Sequence, residues 1–105
     1  MPLDSSYSIV VDKKFHKYIE KNLPQQLKKV FDRKLGYLSE NPSHPSLNTN
    51  PYNVSNKTLK YLGVDAVYEF YINRGFRCIF YVIRAKKQII LAFVGNHEDV
   101  KRRFG

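Results

Sequence analysis

The sequence predicts a single α+β domain in which two N-terminal α-helices pack on one face of a mainly antiparallel β-sheet. The chain has 105 residues, enough for one hydrophobic core, so residues 1–105 are expected to form one domain. Apolar side chains recur at helical spacing between residues 15 and 40, and three closely spaced apolar runs follow from residue 67. Helices that precede a strand-rich segment are typical of α+β folds.

The first part of the chain is expected to form a short strand followed by two helices. Residues 7–11 (YSIVV) are rich in β-branched side chains, and Asp12 is a suitable N-cap for the helix that follows. Pro24 suits the first turn of a second helix, which continues to about Glu40. The apolar positions of these helices are Phe15, Tyr18, Ile19, Leu23, Leu27, Val30, Phe31, Leu35 and Leu38. They give each helix one face that can pack on a sheet.

The rest of the chain is expected to form a long loop and then a meander of three strands. Residues 41–56 contain three Pro and five Asn, which indicates a turn-rich loop, and this loop is expected to end near Leu62. The runs VYEFYIN, FRCIFYVIR and QIILAFVG predict three antiparallel strands, and the last one is apolar on both faces, as an interior strand is. The final residues, NHEDVKRRFG, predict one or two further helical turns.

The hairpin around Gly75 decides where Arg77 points, because a shift of one residue moves every side chain to the other face. A two-residue loop would interrupt the apolar face with Arg77. A three-residue loop, 73–75, with Gly75 in the left-handed conformation keeps that face continuous, so we choose it. The packed face then comprises Tyr68, Phe70, Ile72, Phe76, Cys78, Phe80 and Val82. Arg77 is expected on the face that the helices leave bare, opposite Tyr71 and diagonal to Glu69.

A cation with aromatic neighbours on a sheet surface has two interpretations. The guanidinium of Arg77 can bind phosphate oxygens while tyrosine rings stack on bases, which is how a nucleic-acid site is built. Alternatively, Arg77 forms an ordinary salt bridge with Glu69, and the residue types alone favour this second interpretation.

The composition restricts the partners and the compartment. Lys and Arg total 18 against 9 Asp and Glu, and a pI near 9.7 predicts attraction to nucleic acid, an acidic protein or an anionic membrane surface. No apolar stretch approaches ~18 residues, so a soluble, cytoplasmic protein is expected. The single cysteine, Cys78, is expected in the core. His16, His44 and His97 lie far apart without further ligands at suitable spacing, so neither a metal site nor a cofactor is predicted.

Three segments in this order and spacing resemble one known family: HPSL (44–47), VYEFYINRGFRCIF (67–80) and ILAFVGNHEDV (90–100). The chain resembles the RelE/ParE superfamily of toxins from bacterial toxin–antitoxin modules over about residues 7–101. The resemblance implies a twisted antiparallel sheet with two helices on one face and a basic concave surface on the other. It also implies an antitoxin partner. RelE-like members bind mRNA in the ribosomal A site and cut it without a metal, by attack of the ribose 2′-hydroxyl on the adjacent phosphate.

The resemblance also implies catalytic residues. Arg77 matches the arginine of the family's strand motif and would stabilise the charge on the pentacoordinate phosphate. His97 lies in a segment that resembles the family's C-terminal histidine motif and can serve as acid or base, although a histidine that caps the sheet edge or the last helix is an equal alternative. Glu69 is a further candidate for the base.

Five residues are expected to contact RNA. Lys57 and Lys60 precede the hairpin, where RelE-like members often carry lysines that contact phosphate, and solvated loop lysines are the alternative. Tyr71 and Tyr81 can stack on bases or transfer protons. Arg74 lies in the hairpin loop and completes this set.

Two departures from the family pattern leave three hypotheses for the function. The chain has Tyr71 where the family often has Arg, and Lys101 where the histidine motif often ends with Tyr. The first hypothesis is an endoribonuclease toxin that acts on mRNA at the ribosome. The second is a ParE-like or inactive homologue that binds a protein target, such as DNA gyrase, without cleaving RNA. The third is a general RNA-binding module.

Overall fold

The computed structural model describes residues 3–104 and is built on a five-stranded sheet. The strands are β1 (Ser8–Val11), β2 (Asn50–Pro51), β3 (Ala66–Tyr71), β4 (Phe76–Ile83) and β5 (Gln88–Asn96). The helices are α1 (Phe15–Asn22), α2 (Lys28–Glu40), α3 (Asn56–Leu62) and α4 (His97–Phe104), and two short 3₁₀ turns cover Gln25–Leu27 and Pro45–Leu47. The α+β class predicted from the sequence is confirmed.

The strand order is β1-β5-β4-β3-β2, and only one of the neighbouring pairs is parallel. Strands β3, β4 and β5 form the predicted antiparallel meander. Strand β1 pairs with β5 in parallel, with Ser8 opposite Gln88, while the two-residue β2 pairs with β3. The prediction that the third run is an interior strand is therefore confirmed, since β5 lies between β1 and β4.

Helix α1 begins two residues later than expected. Lys14 occupies the N-cap position, and Asp12 acts from further upstream, because its carboxylate accepts a hydrogen bond from the backbone N–H of Lys14 at 3.2 Å. Pro24 was expected in the first turn of the second helix, but it lies one residue before the 3₁₀ turn Gln25–Leu27. Its extended backbone (ψ 146°) precedes the first 3₁₀ turn, which runs directly into α2.

The face of the sheet that was predicted to receive α1 and α2 does so. Phe70, Cys78 and Phe80 have no exposed surface, and the ring of Phe31 from α2 stacks on Phe70 with centroids 6.4 Å apart. The main cluster also contains Phe15, Leu23, Leu38, Tyr68, Ile72, Val82, Ile89, Leu91 and Val94. Burial of these side chains is the largest stabilising contribution to the fold.

The opposite face is not bare, and this corrects the sequence-based expectation. Helices α3 and α4 pack there, and a second apolar cluster forms around Ile79, Phe93 and Val100. Helix α3 lies inside the segment that was expected to be a loop. It begins after Ser55, whose side chain accepts a hydrogen bond from the N–H of Thr58, and it ends at Gly63 with φ 72°. Helix α4 is the predicted C-terminal turn, extended to eight residues.

The predicted register of the β3–β4 hairpin is confirmed, but its turn is made differently. Tyr71 pairs with Arg77, and the N–H of Ile72 donates to the carbonyl of Phe76 at 2.9 Å. Gly75 is not left-handed; among the described glycines only Gly63 has a positive φ. Instead, the side-chain oxygen of Asn73 accepts hydrogen bonds from the N–H groups of Gly75 and Phe76, both at 2.8 Å. The hydrogen bonds to the Asn73 side chain thus stabilise the turn, and Gly75 does not need a left-handed conformation.

In the described part of the chain, no helix has the length and apolarity needed to cross a membrane.

Candidate functional site

Arg77 lies near the start of β4 on the face opposite α1 and α2, between β3 and β5. Its register partners are Tyr71 on β3 and Gly95 on β5. The guanidinium carbon lies 4.7 Å from the centroid of the Tyr71 ring, and Nη1 lies 3.1 Å from Oε1 of Glu69. Both neighbours that the register argument gave to Arg77 are therefore present.

The ion pair between Arg77 and Glu69 is more enclosed than a surface salt bridge. The side chain of Arg77 is 17% exposed and that of Glu69 is 9% exposed. Enclosure arises because α4 covers part of this face and because β2 pairs with β3 beside Glu69, whose partner is Asn50. Removal of one partner would therefore leave a charge with little access to water.

The polar atoms of this pair are not fully satisfied. Nη1 and Oε1 are at ion-pair distance, but Oε1 of Glu69 and Nε of Arg77 are buried and have no aligned hydrogen-bond partner. A buried donor or acceptor without a partner costs about 1–3 kcal/mol. The pair thus retains one donor and one acceptor without a hydrogen-bond partner among residues 3–104.

Gly95 allows α4 to begin close to Arg77. A Cβ atom at this position would lie 2.6 Å from Cβ of Asp99, a distance that real Cβ atoms essentially never show, and 3.1 Å from the ring of Phe93, which is unusually tight. The start of α4 is also fixed by reciprocal hydrogen bonds between Asn96 and Asp99. The N–H of Asp99 donates to Oδ1 of Asn96 at 2.8 Å, and the N–H of Asn96 donates to Oδ2 of Asp99 at 3.1 Å. This is a capping box, with Asn96 as the N-cap.

His97 is the first residue of α4, and its side chain is exposed. It follows Asn96, which pairs with Phe76, so His97 and Arg77 lie at the same end of the sheet. Of the alternative in which His97 caps the sheet edge or the last helix, the helix-capping part is wrong, because Asn96 performs that role. The side chain of His97 forms no hydrogen bond or ion pair with residues 3–104, so it is available to a ligand.

The two lysines expected to bind RNA are not gathered around Arg77. Lys57 and Lys60 are exposed on α3, which leads into the start of β3. Arg77 lies opposite the far end of that strand, at Tyr71. At about 3.3 Å per residue, the six residues of β3 span roughly 17 Å or more between these ends.

In addition to Tyr71, which lies beside Arg77, the expected RNA-binding set contains two more residues, and their environments differ. Arg74 is exposed in the hairpin loop, three positions before Arg77. Tyr81 lies four residues further along β4, about 13 Å from Arg77, and packs its ring against Phe104 at 6.4 Å. Burial raises the pKa of the Tyr81 phenol, and the positive charge of Arg103 opposes that rise. Tyr81 therefore belongs to the second apolar cluster rather than to the surroundings of Arg77.

Residues 3–104 contain no group of three or more His, Cys, Asp or Glu side chains that could hold a metal ion. His44 has a structural role, since it stacks on Tyr37 at 4.3 Å and its Nδ1 accepts a hydrogen bond from the N–H of Ser46.

Sequence reasoning missed the roles of Gly95 and Asp99. The signal for the capping box was present in the segment GNHED (95–99), where an asparagine is followed three residues later by an acidic side chain. No comparable signal shows that a glycine before this box must lack a side chain, because that requirement comes from the packing of α4 on β5.

Comparisons with known proteins identify the fold. No protein-family model and no curated protein matches the chain. Among solved structures, the archaeal RelE–RelB complex from Pyrococcus horikoshii is similar, with 16% identity, a TM-score of 0.62 and coverage of 86% of this chain and 93% of the other. A metal-bound toxin from Helicobacter pylori has 19% identity, a TM-score of 0.62 and coverage of 90% and 98%. The toxin–antitoxin complex RelBE2 from Mycobacterium tuberculosis has 13% identity, a TM-score of 0.58 and coverage of 92% and 95%. The chain therefore has the RelE-like toxin fold.

Proposed function

We propose that this chain, which has the RelE-like fold, is the toxin of a toxin–antitoxin pair and cleaves mRNA on the ribosome. Two of the similar structures are complexes of a toxin with its antitoxin, and the net charge of +9 suits an anionic substrate. The observation that carries the proposal is the position of Arg77 beside Tyr71 and Glu69 on the sheet face opposite α1 and α2. This activity places the protein in the cytoplasm, with a cognate antitoxin as its protein partner.

The proposed reaction is a transesterification within the RNA strand. The ribose 2′-oxygen attacks the adjacent phosphorus, a new P–O2′ bond forms, and the P–O5′ bond breaks. The products are a 2′,3′-cyclic phosphate and a free 5′-hydroxyl. Glu69 accepts the proton from the 2′-hydroxyl, and His97 donates a proton to the leaving 5′-oxygen. Arg77 stabilises the negative charge that develops on the phosphorane oxygens.

The ion pair between Arg77 and Glu69 is the resting state of this site. A phosphodiester competes with the Glu69 carboxylate for the guanidinium, because both are anions that match its planar array of donors. Once the phosphate binds Arg77, the Glu69 carboxylate is released from its ion pair and can accept the proton of the 2′-hydroxyl. Binding of the substrate thereby prepares the base.

Expression of the protein in bacteria, with mapping of mRNA 5′ ends, tests this function. Arg77→Ala is expected to reduce ribosome-dependent cleavage by about 100-fold or more, because it removes the charge that stabilises the transition state. Arg84→Ala controls for the loss of one positive charge, since Arg84 is exposed just beyond the other end of β4, and circular dichroism of purified Arg77→Ala separates loss of activity from loss of folding. Equal cleavage by the wild type and Arg77→Ala would refute the assignment of Arg77.

The neutralisation of Arg77 by Glu69 favours a second candidate function. A cation already paired with a carboxylate at 3.1 Å attracts phosphate less than a free one. On this alternative the protein is a toxin that binds a protein target, such as DNA gyrase, and cleaves no RNA. Growth arrest with intact mRNA and blocked DNA supercoiling would support this alternative over the first.

A further inference from the structure

A groove between α1 and α4 is lined in large part by cations, of which Arg102 pairs with Asp99 at 3.8 Å. The groove has a volume of about 400 Å³. Its lining comprises Lys17, Tyr18, Lys21, Asn22, Phe93, Asp99, Arg102 and Arg103. Four of these residues are cations and one is an acid. The four cations are exposed, so the groove presents a positive surface to solvent.

Two cations of the groove, Lys17 and Lys21, differ from Lys28 and Lys34 of α2 in their partners. On α2, Lys28 pairs with Glu20 at 3.2 Å, and Lys34 donates to the backbone carbonyl of Ser46 at 2.6 Å. Within residues 3–104, neither Lys17 nor Lys21 has a carboxylate within 4.0 Å. They are four residues apart on one face of α1, where like charges repel and destabilise a helix by a few tenths of a kcal/mol. An anionic ligand would relieve this repulsion.

Arg103 is held in place by aromatic rings rather than by a carboxylate. Its guanidinium carbon lies 5.3 Å from the ring centroid of Tyr18 and 5.9 Å from that of Phe93. The centroids of these two rings are 4.7 Å apart, so the rings pack against each other and form a rigid support. A guanidinium ordered in this way loses less entropy when it binds a phosphate, and its plane can also stack on a base.

The groove and Arg77 are linked through Gly95 on β5. Asp99, which lines the groove, lies directly over Gly95, and Gly95 is the register partner of Arg77. A ligand strand that extends from Arg77 passes the acidic first turn of α4, with Glu98 and Asp99, before it reaches the cations of the groove.

We propose that the α1–α4 groove binds the phosphate backbone of single-stranded RNA next to the Arg77 site. The inference rests on the proposed function for the choice of RNA, and it adds a second binding site to it. Cations spread along two helices match an extended polyanion better than a single phosphate, and the Tyr18, Phe93 and Arg103 planes suit bases rather than carboxylates. An acidic protein segment is the competing occupant.

A binding experiment with uncleavable RNA tests the groove independently of catalysis. The full chain is titrated into a fluorescent single-stranded RNA that carries 2′-O-methyl groups, and the affinity is measured by anisotropy at several salt concentrations. Lys17→Ala/Arg103→Ala is compared with Lys29→Ala/Arg33→Ala, which removes two exposed cations from α2. The groove variant is expected to bind RNA roughly tenfold more weakly or worse. The slope of log K against log salt concentration is expected to become shallower by about 1.4, or ~0.7 for each lost phosphate contact.

Three results would overturn the inference. Equal losses in the two double variants would show that only the net charge matters, and no loss in the groove variant would exclude contact. Tighter binding of poly-glutamate than of RNA, with the same dependence on Lys17 and Arg103, would assign the groove to an acidic protein. If circular dichroism shows that Arg103→Ala disturbs α4, Lys17→Ala/Lys21→Ala on α1 is compared with the same control instead.

The groove and the proposed cleavage can fail separately. RNA binding that depends on the groove, in a protein that leaves mRNA intact, would refute the proposed cleavage and retain the groove. Cleavage that depends on Arg77 but not on the groove cations would refute RNA binding in the groove and retain the proposed cleavage.

Discussion

Arg77 and Arg103 both pack on aromatic rings at the same face of the sheet, but within the described part of the chain only Arg77 of the two has a carboxylate partner. Arg77 is 17% exposed and has the Glu69 carboxylate at 3.1 Å. Arg103 is exposed, rests on Tyr18 and Phe93, and has no carboxylate within 4.0 Å among residues 3–104. The comparison teaches that an aromatic support orders a guanidinium, whereas the nearby acid decides whether its charge is available to a ligand.

The largest expected difference between the two arginines is in stability. Arg77→Ala leaves the carboxylate of Glu69 nearly buried without its cation, so we expect a loss of about 2–4 kcal/mol, somewhat below the cost for a fully buried pair. Arg103→Ala removes an exposed side chain and is expected to cost about 1 kcal/mol or less. Urea unfolding at an unchanged m-value measures both. The double variant Arg77→Ala/Glu69→Gln should recover part of the loss, and equal losses for the two arginines would contradict the comparison.

Gly95→Ala tests whether the same helix supports both arginines. The added Cβ would meet Asp99 at 2.6 Å, so α4 must move, and we expect a loss of about 1–3 kcal/mol from overpacking. Gly36→Ala is the control, since Gly36 lies inside α2 with nothing within 4 Å of the added atom. That substitution is expected to stabilise the protein by about 0.5–1 kcal/mol through helix propensity. Thermal or urea unfolding that ranks the two variants in the opposite order would refute the packing assigned to α4.

Asp99→Asn removes the negative charge of Asp99 from the groove but keeps its hydrogen bond to Asn96 at the start of α4. The amide oxygen can still accept the hydrogen bond from the N–H of Asn96, while the groove loses its only carboxylate among the described lining residues. The substitution also releases Arg102 from its ion pair with Asp99 at 3.8 Å. RNA affinity at low salt is therefore expected to rise about two- to fivefold, since a surface ion pair contributes a few tenths to about 1 kcal/mol. Anisotropy titration measures this change, and a fall in affinity with an unchanged unfolding curve would show that Asp99 assists binding.

The smallest expected effect is on the titration of Tyr81. Burial raises the pKa of its phenol and the charge of Arg103 lowers it, so Arg103→Ala should raise this pKa further. Absorbance of the phenolate at increasing pH measures the shift. Because the folded-state pKa is raised, the associated stability is complete below the unfolded pKa of about 10 and is lost as pH rises through the folded value. A lowered Tyr81 pKa in Arg103→Ala would contradict the proximity of the two groups.

The local geometry around Arg77 was predictable from the sequence because alternation along a strand is a strict rule. The continuous apolar set from Tyr68 to Val82 allowed only one hairpin register, and that register gave Arg77 its neighbours Tyr71 and Glu69. The turn itself was not predictable, because Asn73 and Gly75 can each solve the same backbone problem.

The cover on the second face was not predictable in the same way. The sequence predicted helical turns for residues 96–105, which include α4, but α3 lies in the Pro- and Asn-rich segment that was expected to be a loop. Neither segment shows in its sequence that it packs on the sheet. The packing of α4 helps to enclose the ion pair of Arg77 and, with α1, forms the groove that holds Arg103. The sequence therefore indicated which residues meet within the sheet, but it did not indicate how much water reaches them.

The parallel pairing of the first strand with the last strand has a consequence for the timing of synthesis. Ser8 meets the backbone of Lys87, 79 positions later in the chain, so its strand has no partner until residues 88–91 have left the ribosome. Closure of such a long loop is entropically costly and slow. The sheet of this protein is therefore expected to be completed late, when β1 finds its place beside β5.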